Sequence, residues 1–161
     1  YGDHRDLHSF PTRRSSDYME ILKESMDYMI LGVLLFMSFI SIALSFERYF
    51  FYKKIDLKKY KTKNEIEVDL STNLSTISSI ASNAPYVGLL GTVVGIMIVF
   101  YDMGQNASLE TSVVVIGLSL ALKATAFGLL VAIPSMMLYS AFLRKSDILF
   151  AKWEDEIDKK I

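Results

Sequence analysis

The sequence predicts an all-α, polytopic membrane protein with three transmembrane helices, the second and third extended beyond the bilayer into the cytoplasm. Three observations predict it. Hydrophobic residues make up 52% of the 161-residue chain and mean hydropathy is positive, which does not suit an aqueous globular domain. Three charge-poor runs each reach or exceed the roughly 20 residues that a helix needs to cross a hydrocarbon core of about 30 Å. Lysines and arginines gather on one side of those runs.

Residues 1–17 are set apart first, because they show neither an apolar period nor a signal-peptide pattern. Back-translated with one permitted codon choice, "HSFPTRRSSD" reads as a sequencing adaptor, so this segment is expected to be non-native and joined to a truncated N-terminus. Residues 18–161 then form a single membrane domain. The excluded segment holds both histidines, His4 and His8, and the chain has no cysteine. Zinc, haem, iron–sulfur and Ser/His or Cys/His chemistry therefore lose their usual residues, and neither a cofactor nor a metal is expected. The near-neutral charge of −1 offers no basic surface for nucleic acid.

The first span, residues 28–46, is "YMILGVLLFMSFISIALSF". It ends at "ERYFFYKK", where Glu47 and Arg48 meet aromatic rings and then Lys53 and Lys54, an interfacial pattern. A cytoplasmic segment, residues 47–84, follows. The next charge-free run covers residues 70–101 and would be about 48 Å long if wholly helical. Its first half, "LSTNLSTISSIASN", is too polar for lipid. A helix is thus expected to begin in the cytoplasm and enter the bilayer near Pro85, with the second span at residues 85–101. The third run, residues 111–143, has Lys123 as its only charge; its span is placed at residues 112–143, and Pro134 is expected to kink it. In the tail, residues 144–161, "AKWEDEIDKKI" reads as a solvated helix end.

Orientation follows from the cations. Lys53, Lys54, Lys58, Lys59, Lys61 and Lys63 follow the first span, and Arg144, Lys145, Lys152, Lys159 and Lys160 follow the third, whereas "DMGQNASLE" between spans two and three has none. The first loop and the C-terminus are accordingly cytoplasmic and the N-terminus periplasmic.

In lipid, helices approach through small residues, since the hydrophobic effect does not drive them together. The second span carries Gly88, Gly91 and Gly95; the third carries Gly117, Ala121, Thr125, Gly128 and Ala132 at steps of three or four on one face. These stripes imply tight packing, either between spans two and three or between subunits. Thr92 and Thr125 fall at a common depth of about 14 to 20 Å, near the midplane. Each hydroxyl either bonds back to its own i−4 carbonyl or contributes a polar lining to an axial cavity. Lys123 lies at a similar depth, and an intramembrane charge is a functional-site hypothesis in its own right. About 200° separates it from Thr125, so Lys123 is expected to face a neighbouring helix or subunit; bonding to nearby carbonyls is the plainer alternative.

"NAPYVGLLGTVVGIM" followed by "ALKATAFGLLVAIPSMMLYSAFLRK" resembles the ExbB family of proton-channel scaffolds, related to TolQ and more distantly to MotA. The likeness runs from the first span to about Trp153, and the short length and the "ER" after the first span resemble its small variants. The resemblance implies a homopentamer in a bacterial inner membrane that encloses transmembrane helices of an ExbD-like partner and energises TonB-dependent uptake of siderophores, cobalamin or metals. It places the pore-lining threonines at Thr92 and Thr125. One position departs from the family pattern: many ExbB and TolQ proteins carry a glutamate where this chain has Leu120. The essential titrating acid is then expected to be an aspartate on the ExbD-like partner, with Lys123 tuning the nearby field or a subunit contact. A TolQ-like role in the Tol–Pal envelope system and a non-conducting membrane adaptor are the alternatives. No surface cluster of His, Cys or carboxylates supports an enzyme.

Overall fold

The computed structural model describes residues 13–105 and 111–159. Four α-helices account for nearly all of them: α1 Arg13–Lys54, α2 Lys63–Ser71, α3 Leu74–Gln105 and α4 Thr111–Asp158, with a 3₁₀ turn at Leu57–Lys59 between the first two. Among the described residues there is no strand. Helices α1, α3 and α4 carry the three apolar spans and are long and apolar enough to cross a membrane. Most of residues 1–17 lies outside the described residues, as do residues 106–110 of the turn between the second and third spans.

The three long helices pack as a bundle whose directions follow from their contacts. Gly88 meets Gly128, Gly95 meets Ala121 and Val99 meets Gly117, so α3 and α4 are antiparallel. Ser41 bonds Ser135 and Tyr52 stacks near Phe142, so α1 and α4 run the same way. The inward face of α1 reads Ile30, Leu34, Ser41, Ser45, Arg48 and Tyr52, all buried, and their spacing is that of one helix face. Its outward face is apolar and exposed, with Leu35, Phe36, Phe39 and Phe46 each above 60%, as a lipid-facing surface requires.

The charge-free run over residues 70–101 is not one helix. It breaks at Thr72 and Asn73, and Asn73 takes a left-handed φ of 63°, a conformation that Asn tolerates better than most residues. The Thr72 amide and hydroxyl both donate to the Val68 carbonyl, closing α2. The Asn73 amide donates to both carboxylate oxygens of Glu47, at 3.2 and 3.1 Å. At its other end α2 opens on Thr62, whose hydroxyl accepts from the Glu65 amide. The short helix thereby folds back onto α1 and α4. The helices run through both interior prolines, Pro85 in α3 and Pro134 in α4.

At the lysine-rich end a second core forms from Tyr52, Ile66, Leu70, Leu149 and Trp153. The Tyr52 hydroxyl donates to the Leu70 carbonyl at 2.6 Å, and the Trp153 indole donates to the Tyr60 carbonyl at 3.2 Å. Arg48, 4% exposed, donates to the Asp69 carbonyl at 2.9 Å, pairs with Glu47 at 3.1 Å and lies over the Phe51 ring at 4.7 Å. The segment read from sequence as a solvated helix end is therefore anchored: Leu149 and Trp153 turn inward while Lys152 between them and the carboxylates beyond them stay more accessible.

Candidate functional site

A glycine removes the atom that keeps two helix axes apart, and the α3–α4 seam is built on that removal. A Cβ on Gly88 would lie 2.6 Å from the Ala124 carbonyl oxygen and 3.1 Å from the Gly128 Cα. One on Gly128 would lie 2.7 Å from the Ala84 carbonyl oxygen. One on Gly95 would lie 2.7 Å from the Ala121 Cβ, and Gly117 accommodates the Val99 side chain. Gly91 faces both Ala124 and Ile30, which brings α1 onto the seam, and Ala132 packs with Ile30, Leu34 and Ala84. The small residues singled out from sequence thus meet one another within a single chain.

Thr92 and Thr125 face each other across this seam. Their Oγ1 atoms are 2.5 Å apart, and Thr92 Oγ1 is also 3.3 Å from the carbonyl oxygens of Gly88 and Ala121. Thr92 is buried, whereas Thr125 is partly open. A hydroxyl has one proton to give and can accept others, so the pair has two possible arrangements. In one, Thr92 donates to a carbonyl and accepts from Thr125. In the other, Thr92 donates to Thr125, and the Thr125 proton turns toward the open side of the seam. A reversible change of hydrogen-bond polarity at one depth is what this arrangement can do chemically.

Lys123 is exposed on the face of α4 away from the seam, and among the described residues it has no ion-pair partner. Leu120, on an outer flank of α4, is 36% exposed. Pro134 leaves α4 unbroken and precedes Ser135, whose hydroxyl bonds that of Ser41 at 2.7 Å in a buried contact between α4 and α1. Ser45 donates to the Ser41 carbonyl at 2.7 Å. Sequence reasoning missed this second hydroxyl pair and the buried Arg48. The available signal was the spacing of Ser41, Ser45, Arg48 and Tyr52 on one face of α1. Among the described residues there is no cluster of His, Cys, Asp or Glu able to hold a metal.

Comparisons with known proteins agree with this architecture. The model of the MotA/TolQ/ExbB proton channel family matches residues 43–155. The chain is 49% identical over 135 residues to "Biopolymer transport protein ExbB" of Helicobacter pylori, covering 84% of this chain and 93% of that protein. It is 48% identical over 136 residues to the protein of the same name from Aquifex aeolicus, covering 84% and 92%. Identity to "Tol-Pal system protein TolQ" of Pseudomonas aeruginosa is 40% over 89 residues, covering 54% of this chain and 38% of that protein. With three spanning helices and a family match across most of its length, this multi-pass membrane protein belongs to the MotA/TolQ/ExbB proton channel family, as an ExbB-type member.

Proposed function

We propose that the chain is the scaffold and channel subunit of a proton-motive-force-driven motor in a bacterial inner membrane. It works with an ExbD-like single-span partner bearing an intramembrane aspartate and energises TonB-dependent transport across the outer membrane. The reading assembles the chain as a homopentamer around the partner's helices, with its N-terminus periplasmic and its C-terminus cytoplasmic. It is not an enzyme.

The observation that carries this reading is the Thr92–Thr125 hydroxyl pair, held at one depth in an otherwise apolar seam of a proton-channel family member. The exposed side of Thr125 faces the proposed pore. A protonated partner aspartate donates there, an ionised one accepts, and the hydroxyl pair reverses to match. Leu120 supplies no proton, so the titrating group belongs to the partner. Lys123, on the opposite face of α4, acts at a subunit contact.

Purification from native membranes in mild detergent tests the assignment. A stoichiometric single-span protein with an intramembrane aspartate, together with a TonB-like protein, is the expected result; an intact complex without either refutes the motor. Thr92→Val combined with Thr125→Val is expected to abolish energised uptake while the complex still assembles, whereas full uptake would favour a non-conducting adaptor. The similarity to TolQ supports a second reading, a Tol–Pal role, and recovery of Tol–Pal proteins in place of the TonB-like companion would establish it.

A further inference from the structure

At the lysine-rich end of the bundle, α1 and α4 diverge around a cleft of about 440 Å³ lined by Tyr49, Tyr52, Lys53, Ala141, Phe142 and Lys145. Its composition is unlike that of a plain helix groove. One lysine comes from each helix, and the lining includes no carboxylate. Tyr52 and Phe142, with ring centroids 6.0 Å apart, close its floor. Tyr52 is already committed, its hydroxyl donating to the Leu70 carbonyl, so the rings serve as wall and the two ammonium groups supply the uncommitted charge. Neither lysine has an ion-pair partner among the described residues.

The cleft lies where two apolar stripes end. On α1 the turns before Tyr49 and Lys53 expose Ile42 at 50% and Phe46 at 61%, and on α4 the turn before Ala141 exposes Met137 at 69%. An occupant that fits is therefore anionic at one end and apolar along the rest, with its charge at the level of the two lysines and its tail running down the bundle. An amphipathic protein helix lacks that division along its length, while a phospholipid has it. Basic pockets between spanning helices are one way in which membrane proteins hold anionic head groups.

We infer that the α1–α4 cleft binds one anionic phospholipid per chain, its phosphate held between Lys53 and Lys145 and an acyl chain lying along Phe46 and Met137. The lipid fills the space between the two helices and ties α1 to α4 beyond the Ser41–Ser135 bond. The site depends only on membrane insertion, so it stands or falls apart from the motor assignment.

Native mass spectrometry of the full chain in mild detergent, titrated separately with phosphatidylglycerol, phosphatidylcholine and inorganic phosphate, tests the inference. One phosphatidylglycerol per chain is expected to be retained in preference to phosphatidylcholine, and millimolar phosphate should not displace it. Combined Lys53→Gln and Lys145→Gln should weaken that retention about ten- to thirtyfold, since each cation near an anionic surface is worth about fivefold. Lys61→Gln with Lys152→Gln, an equal change of charge elsewhere at the same end, should leave it unaltered, and circular dichroism should show all variants folded. Equal retention of the two lipids, or unchanged retention by the Lys53/Lys145 pair, would overturn the site. So would competition by free phosphate, which would mark a soluble-anion site, or a cross-link from position 141 to another polypeptide in the lipid-free assembly, which would give the cleft a protein occupant.

Discussion

Between Gly88 and Gly128 the backbones of α3 and α4 touch because side chains are missing; between Tyr52 and Trp153, α1, α2 and α4 are joined by some of the largest side chains in the protein. In lipid, apolar bulk gives no net advantage over the surrounding tails, so close backbone contact and hydroxyl bonds hold the seam. At the lysine-rich end, water is available to be excluded, and rings, an indole donor and a buried guanidinium build a core of the ordinary kind. The same helices are thus held by two different forces along their length.

Breaking the ring cluster should have the largest effect. Trp153→Ala removes the only tryptophan in the chain from a position 6% exposed and is expected to cost about 3–5 kcal/mol. Denaturant titration in micelles followed by far-UV circular dichroism, which does not need the indole, measures it. Filling the seam comes next. Gly88→Ala drives a methyl to 2.6 Å from a backbone oxygen that has no side-chain freedom to yield, with a cost of about 1–3 kcal/mol. Gly32→Ala, whose new methyl meets nothing within 4 Å, should be neutral or stabilise by up to about 1 kcal/mol. If both alanines behaved alike in the same titration, the close approach would not be what holds the seam.

The hinge between the two regions gives a smaller and sharper contrast. Asn73→Ala keeps a Cβ in the left-handed region without the amide, and should cost about 1–2 kcal/mol. Asn73→Gly loses the same bonds to Glu47 but relieves the backbone, so it should cost less; thermal midpoints of the two variants separate backbone from hydrogen bond. The smallest effect is a pH dependence. Burial pushes the Tyr60 phenol up to about 12, helped by Asp69, whose carboxylate accepts its proton at 2.9 Å, and by the charge of Glu65. The folded chain holds this proton more tightly than an unfolded tyrosine of pKa 10.0. The associated stability is fully present below pH 10 and is lost as the pH rises through about 12. Tyr60→Phe should lack that alkaline loss, so the difference between the two midpoints should shrink above pH 10.

The spans were legible because lipid imposes length and apolarity on a sequence directly, and the glycine stripes because close approach admits few residue types. The hydroxyl pair could be placed at a common depth from Thr92 and Thr125 alone, but not brought to 2.5 Å, since that depends on which faces of α3 and α4 meet. The break at Asn73 was hidden inside a run with no charge, where neither glycine nor proline marks a turn; its φ is stabilised by Glu47, 26 positions away. Trp153 was read as part of a charged helix end because Glu154, Asp155 and Glu156 dominate that stretch. Its burial follows from Ser146, Leu149 and Trp153 sharing one face against a short helix whose position the sequence does not announce.

Helix α4 runs unbroken from Thr111 to Asp158, so Thr125 and the Trp153 indole are carried on one rod, about 42 Å apart along its axis. A rod of that length amplifies angles. Tilting it by three to five degrees about Thr125 would swing Trp153 sideways by roughly 2–4 Å, enough to strain its bond to the Tyr60 carbonyl. Pro134, where the backbone ladder lacks one rung, is the most compliant point between fulcrum and load. In mechanical terms α4 is one long stiff arm, held at Thr125 in the seam and at Trp153 in the ring cluster.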